Sequence, residues 1–121
     1  MDERGQRLAF RLLAERFKRC AMATNFGYID EDKALQLAGR RALGRTVRDI
    51  DLLGPDSRRA LIPLLEDEDP STRAFAAGYL LRSRPEQALA VLKDVEANGP
   101  SEVRITAGSI LLDYEHGTLD M

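Results

Sequence analysis

Two helical stripes carry the side chains of this chain that are best suited to chemistry, and the first is basic. Arg41, Arg45 and Arg48 are spaced i, i+4 and i+7, so they share one face of a predicted helix. A face of guanidinium groups favours contact with phosphate or carboxylate groups. The alternative is a solvated face with Asp49 and Asp51 nearby. Other arginines that could extend this patch are Arg40, Arg58 and Arg59.

The second stripe is mixed in character and has the same spacing. It consists of Phe75, Tyr79 and Arg82. These are residue types that anchor protein interfaces, because they combine apolar area with directed hydrogen bonding. The alternative is that Phe75 and Tyr79 pack against a neighbouring helix and only Arg82 reaches the surface.

The remaining reactive residues indicate neither catalysis nor metal binding. His116 is the only histidine and Cys20 the only cysteine, and neither has a partner close in sequence that would activate it. The acidic run Glu66-Asp67-Glu68-Asp69 lacks the alternating spacing and glycine of a calcium loop, so it predicts a solvated turn and a helix cap. We therefore expect no enzyme activity and no cofactor.

Helices must position these residues, because the apolar spacing is helical throughout and strand patterns are almost absent. The first helix is predicted from about Arg4 to Met22, followed by a connection at Thr24–Gly27. Asp30 is predicted to cap a second helix that contains Gly39 and Gly44, which indicate a bend or a close helix contact.

Turn and cap residues divide the second half of the chain. Gly54-Pro55 ends the second helix, and Pro63 breaks or kinks the third, which runs to about Glu66. Asp69-Pro70 opens the fourth helix and Pro85 the fifth, whereas Asn98-Gly99 ends the fifth and Pro100 opens the sixth. Gly117 ends the sixth helix, and residues 118–121 are expected to fray.

A repeated pattern relates two of these helices. Asp69-Pro70-Ser71-Thr72-Arg73 and the following Ala76-Ala77 return as Gly99-Pro100-Ser101-Glu102-Val103-Arg104 with Ala107-Gly108. This pattern resembles the second helix of HEAT repeats, and the match covers about residues 55–115. The arrangement is similar to a small bacterial family of HEAT-like proteins, a resemblance that implies a fold and no activity. It also implies an all-α, HEAT-like α-α superhelix of about five to six helices, with a divergent helix pair at 1–54 and repeat units at 55–83 and 84–117.

Composition and the distribution of charge limit the kinds of partner and the cellular location that the sequence supports. The 121 residues carry a net charge of −2, which is unevenly distributed: residues 1–59 hold 13 Lys and Arg against 9 Asp and Glu, and residues 60–121 hold 5 against 11. This asymmetry is compatible with a homodimer that brings opposite charges together. A single cysteine, the absence of a signal sequence and the absence of a long apolar run predict a cytoplasmic protein that does not enter a membrane.

The sequence as a whole predicts a non-catalytic module that binds a protein partner through its helical-repeat surface. Phe75, Tyr79 and Arg82 would supply anchors, and the arginines of the first stripe would steer the encounter. One version is an inhibitor or immunity-type protein that masks its partner. The alternative is nucleic-acid binding through the basic face of the second helix, although the sequence pI of about 5.4 disfavours it.

Overall fold

The computed structural model describes all 121 residues as an all-α structure without strands. Five α-helices and one 3₁₀-helix follow one another in three packed pairs. The helices are α1 (Glu3–Ile29), α2 (Lys33–Asp51), the 3₁₀-helix (Ser57–Glu66), α3 (Pro70–Leu80), α4 (Pro85–Asn98) and α5 (Ser101–His116). The prediction of an all-α fold with up to six helices is therefore confirmed.

The first helix is longer than predicted, because α1 continues through the expected connection at Thr24–Gly27. Thr24 and Gly27 are buried against α2, and the Thr24 hydroxyl donates a hydrogen bond of 2.7 Å to the Cys20 carbonyl within α1. The cap of α2 also differs from the prediction. Asp30 ends α1, whereas the Asp32 carboxylate caps α2 by accepting from the Leu35 amide at 3.0 Å.

The third helical segment is a 3₁₀-helix, and it contains Pro63. A proline has no amide hydrogen to donate, and its ring opposes a regular α-helix at this position. The tighter 3₁₀ winding replaces the kinked α-helix that the sequence suggested. Before it, Gly54 takes a φ of +131°, a conformation that side chains rarely allow.

The core is a single cluster centred on α3. Eight of the eleven α3 residues are buried, and α3 contacts the 3₁₀-helix, α4, α5 and α1. Small residues at positions 74, 76 and 77 allow these neighbours to approach the α3 backbone closely. The apolar side chains of α1, α2, the 3₁₀-helix, α4 and α5 complete the cluster, so one side of each of these five helices is fixed by packing and the other is free.

Asp69 caps α3 as the sequence predicted, and it does so with several hydrogen bonds. Its carboxylate accepts from the Thr72 amide at 2.9 Å, from the Thr72 hydroxyl at 2.6 Å and from the Ser71 hydroxyl. Burial alone would raise the pKa of Asp69, but the hydrogen bonds from Ser71 and Thr72 and the charge of Lys18 together lower it below its ordinary value. The cap therefore binds its neighbours best as an anion.

We expect Asp69 to make stability depend on pH in the acidic range. Because its pKa is lower in the folded than in the unfolded chain, its contribution is present above the unfolded value and is lost as the pH falls through the folded value. Asp69→Asn keeps a neutral cap but loses the charge-assisted part of these hydrogen bonds, so it should lower the free energy of unfolding by about 1 kcal/mol near neutral pH. Urea denaturation at neutral and acidic pH measures the effect, and a difference between the two proteins that persists unchanged at low pH would contradict it.

Candidate functional site

The two predicted stripes meet in one groove between α2 and the C-terminal end of α3. We call it the arginine groove, because six arginines line it and enclose a volume of about 660 Å³. Tyr79 of α3 is the half-buried aromatic residue of the groove. The arginines are Arg40, Arg41, Arg45, Arg48, Arg58 and Arg82. The structure thus brings Arg41, Arg45 and Arg48 together with Tyr79 and Arg82, although the two groups are more than thirty positions apart in the sequence.

Phe75 is not part of this surface, and its predicted role as an exposed anchor is wrong. Its side chain is only 1% exposed and belongs to the core. The reason is that α3 is enclosed by helices along most of its length, so only its last turn emerges. Phe75 packs against neighbouring helices, as the alternative interpretation of the stripe expected. Tyr79, in contrast, is partly accessible, and Arg82 is exposed.

The two carboxylates near the basic stripe form ion pairs with arginines outside that stripe. Asp49 forms an ion pair with Arg16 of α1, on the side of α2 that faces that helix. Asp51 accepts two hydrogen bonds from Arg58, at 3.0 and 3.1 Å. Neither acid is therefore paired with an arginine of the stripe, although Asp51 lines the groove beside it.

Five of the six guanidinium groups of the groove form no ion pair with any carboxylate of the chain. They belong to Arg40, Arg41, Arg45, Arg48 and Arg82. Of these, Arg40 donates a hydrogen bond to the Tyr28 hydroxyl at 3.0 Å. Since Asp51 and Asp120 are the only acidic side chains that line the groove, its charge is strongly positive.

Tyr79 is held in place by its own neighbours. Its ring meets the Phe17 ring edge-on, with centroids 5.7 Å apart, and the Arg58 guanidinium lies 5.8 Å from its centroid. Arg58 also donates to the Tyr79 carbonyl at 3.1 Å. Burial raises the pKa of Tyr79 against the opposing charges of nearby arginines, so the phenol stays protonated at physiological pH. The ring is fixed, and its hydroxyl makes no hydrogen bond within the chain and is available as a donor.

Residues 118–121 lie over one end of the groove, which differs from the frayed tail that the sequence suggested. Met121 packs its sulfur on Gly78 of α3, where an added Cβ would overlap it and would also come within 3.3 Å of Ile110. Asp120 lines the groove, and the Leu119 carbonyl accepts a long hydrogen bond of 3.5 Å from Arg82. An apolar side chain and a carboxylate of the chain itself are therefore seated beside the free arginines.

The sequence predicted some residues of the groove and missed others. Arg40 and Arg58 were suggested as extensions of the basic patch and do line the groove, but Arg59 does not. The Arg59 guanidinium instead lies 4.9 Å from the ring centroid of Phe10, on the side of the molecule formed by α1 and the 3₁₀-helix. No sequence signal pointed to Asp120 or Met121, because the packing of Met121 on Gly78, which seats this segment at the groove, exists only in the folded chain.

The other reactive residues have structural positions. His116 is exposed in the last turn of α5, and Cys20 is half-buried on α1. No cluster of three or more histidine, cysteine or acidic side chains has metal-binding geometry. Asp67 forms an ion pair with Lys18 at 3.0 Å and Asp69 caps α3, so two acids of the run 66–69 are used by the fold. None of the helices combines the length and the apolar character that a membrane span requires.

Comparison with known proteins yields one match. A family model described as HEAT repeats matches residues 28–111, which include α2, the 3₁₀-helix, α3, α4 and most of α5. Five of the six groove arginines are on α2 or the 3₁₀-helix, and all six lie in the matched range. No curated protein and no solved structure matches the chain.

Proposed function

The chain belongs to the HEAT repeat family, and from that premise we propose that it is a non-catalytic module that binds a protein partner in the arginine groove. HEAT repeats typically serve as scaffolds for protein–protein interaction. The observation that carries the proposal is the convergence of five guanidinium groups without ion pairs beside the fixed ring of Tyr79. Tyrosine and arginine are the residue types that dominate the binding energy of protein interfaces.

The proposed partner presents an acidic segment that includes an apolar side chain. Free arginines attract carboxylates and bind them with two parallel hydrogen bonds, which a lysine could not do. The segment 118–121 supports this chemistry, because it places Asp120 and Met121 in the same groove. A partner segment of that kind would compete with residues 118–121 for this end of the groove. An inhibitor or immunity-type protein that masks an acidic surface is one form that this function can take.

Nucleic acid is the second candidate, and the same unpaired arginines favour it because guanidinium groups also bind phosphates. Two features weigh against it. The groove offers a single aromatic side chain, and Tyr79 is already packed edge-on against Phe17, so stacked bases would have little support. The chain also carries a net charge of −2, whereas nucleic-acid-binding domains are commonly basic.

A charge-reversal experiment tests the proposal. We expect Arg41→Glu combined with Arg45→Glu and Arg48→Glu to weaken binding of a fluorescent peptide of alternating aspartate and leucine at least tenfold, because attraction becomes repulsion. Fluorescence anisotropy at physiological salt measures the affinity. A single-stranded oligonucleotide of equal charge is titrated in parallel, and Asp120→Ala should bind the acidic peptide more tightly than the unchanged protein.

The matched control reverses three exposed cations away from the groove, Arg4, Lys33 and Lys93, which form no ion pairs. It has the same net charge as the groove variant, so a general electrostatic effect would weaken both equally. Equal binding by the two variants would contradict a specific groove. Tight binding of the oligonucleotide but not of the peptide would favour the nucleic-acid function instead.

A further inference from the structure

The outer side of α1 carries a stripe of exposed residues that no part of the chain covers. Its residues alternate three and four positions apart, which is the spacing of a helix that packs along another helix. All of them are exposed, and Leu8, Leu12, Phe26 and Ile29 are each more than half exposed. The outer stripe of α1 comprises Leu8, Leu12, Glu15, Arg19, Met22, Phe26 and Ile29. It extends over about 30 Å of helix.

The position of α1 in the fold explains why this stripe has no partner within the chain. The opposite side of α1 carries Phe17, Ala21 and Thr24, which are fully buried against the rest of the molecule. One side of α1 is therefore packed against the core, and its outer side is open to solvent. Most of α1 also lies outside residues 28–111, the range that matches the HEAT repeats. Large exposed apolar surfaces mark interaction sites, and four apolar side chains of the stripe are more than half exposed.

The order of residues along the stripe is self-complementary. From the N-terminus it runs apolar, apolar, negative, positive, apolar, apolar, as Leu8, Leu12, Glu15, Arg19, Met22 and Phe26. When a second α1 runs in the opposite direction, one register places Leu8 opposite Phe26, Leu12 opposite Met22 and Glu15 opposite Arg19. Two-fold symmetry repeats each pair, so the centre holds two ion pairs between apolar ends. A stripe that served an unrelated partner would need no such symmetry.

We propose that α1 is a dimerisation helix that packs antiparallel against α1 of a second copy of this chain in that register. The basic residues beside the centre of the stripe do not oppose this contact, because both are already neutralised. Arg16 is paired with Asp49, and Lys18 is paired with Asp67. Glu15 and Arg19 themselves make no ion pair or hydrogen bond within the chain, so both are available to the second copy. The proposal does not depend on the function of the arginine groove.

Charge exchange across the dimer axis tests this register. We expect the unchanged protein to sediment as a dimer at micromolar concentrations, and Glu15→Arg or Arg19→Glu alone to raise the dimer dissociation constant at least tenfold, because each creates two like-charge contacts. Mixing the two variants should restore a dimer, since every central contact then joins arginine to glutamate. This rescue cannot arise within one helix, because each variant on its own has two like charges. Both substitutions are at exposed positions, so circular dichroism should show unchanged folding.

Cysteine cross-linking tests the direction of the helices, with Cys20 replaced by serine in all proteins. Leu12→Cys mixed with Met22→Cys should form an intermolecular disulfide under mild oxidation, whereas Leu12→Cys alone should not, because two copies of residue 12 are far apart in an antiparallel pair. Three results would overturn the proposal: an unchanged protein that is monomeric, a dimer that neither charge variant weakens, or efficient cross-linking of Leu12→Cys to itself.

Discussion

Replacing Phe75 by alanine is expected to lower the free energy of unfolding by about 3–5 kcal/mol. Phe75 is 1% exposed on the central helix α3, so the substitution leaves a large cavity among helices that are fixed from several sides. Urea denaturation followed by circular dichroism measures the loss. We expect any loss of partner binding by this variant to follow from unfolding and not from a missing contact.

Tyr79→Phe is the matched control one helical turn further along α3. It keeps the ring against Phe17 and removes a hydroxyl that makes no hydrogen bond within the chain, so its stability should change by less than about 1 kcal/mol. If Phe75→Ala instead kept full stability and lost only partner binding, Phe75 would have to be a surface residue, and its position in the core would be wrong.

Replacing Gly39 by alanine is expected to destabilise the protein by about 2 kcal/mol, although alanine is the better helix former. A Cβ at this position of α2 would overlap the Thr24 hydroxyl of α1 and would lie 2.9 Å from the Thr24 Cα. Because the Cα belongs to the backbone, rotation of the threonine side chain cannot relieve the overlap, and α1 and α2 must move apart. A fall in the thermal midpoint of roughly 8 °C should result, which differential scanning calorimetry can measure.

Gly44→Ala in the same helix is the control, and its effect should have the opposite sign. The nearest atoms to an added Cβ there are 3.8 Å away on Arg48 and 4.0 Å away on Tyr79, which are ordinary contact distances. Only the gain in helix propensity remains, so we expect stabilisation by about 0.5–1 kcal/mol. Destabilisation by both substitutions to the same extent would mean that the close contact of Gly39 with Thr24 does not exist.

The boundaries of the last three helices were predictable because they depend on local chemistry. Asp69 caps α3, and Pro70 and Pro85 occupy first turns, where a missing amide hydrogen costs nothing. Gly117 ends α5 in a left-handed conformation that glycine adopts most easily. Each of these caps and turns depends only on residues a few positions away in the sequence, so the helix ends could be predicted without the tertiary structure.

The predictions failed where packing between helices outweighs local preference. Thr24 and Gly27 resemble a connection in sequence, but in the structure they continue α1 because they are the small residues against which α2 packs. The spacing of Phe75, Tyr79 and Arg82 is consistent with one shared face, but the spacing contains no information about which part of that face other helices cover. The prediction that residues 118–121 fray failed for the same reason, because Met121 packs on Gly78, which is distant in sequence.

The sequence by itself determined that this protein is a stack of helices and which residues share a helix face, because helical periodicity and capping are local properties of the chain. The tertiary structure alone decided which faces are open. It buried Phe75, engaged Asp49 and Asp51 with other arginines, and brought the basic stripe of α2 beside Tyr79 and Arg82. The physical reason is that burial and ion pairing depend on distances between helices, which the spacing of residues within one helix does not contain.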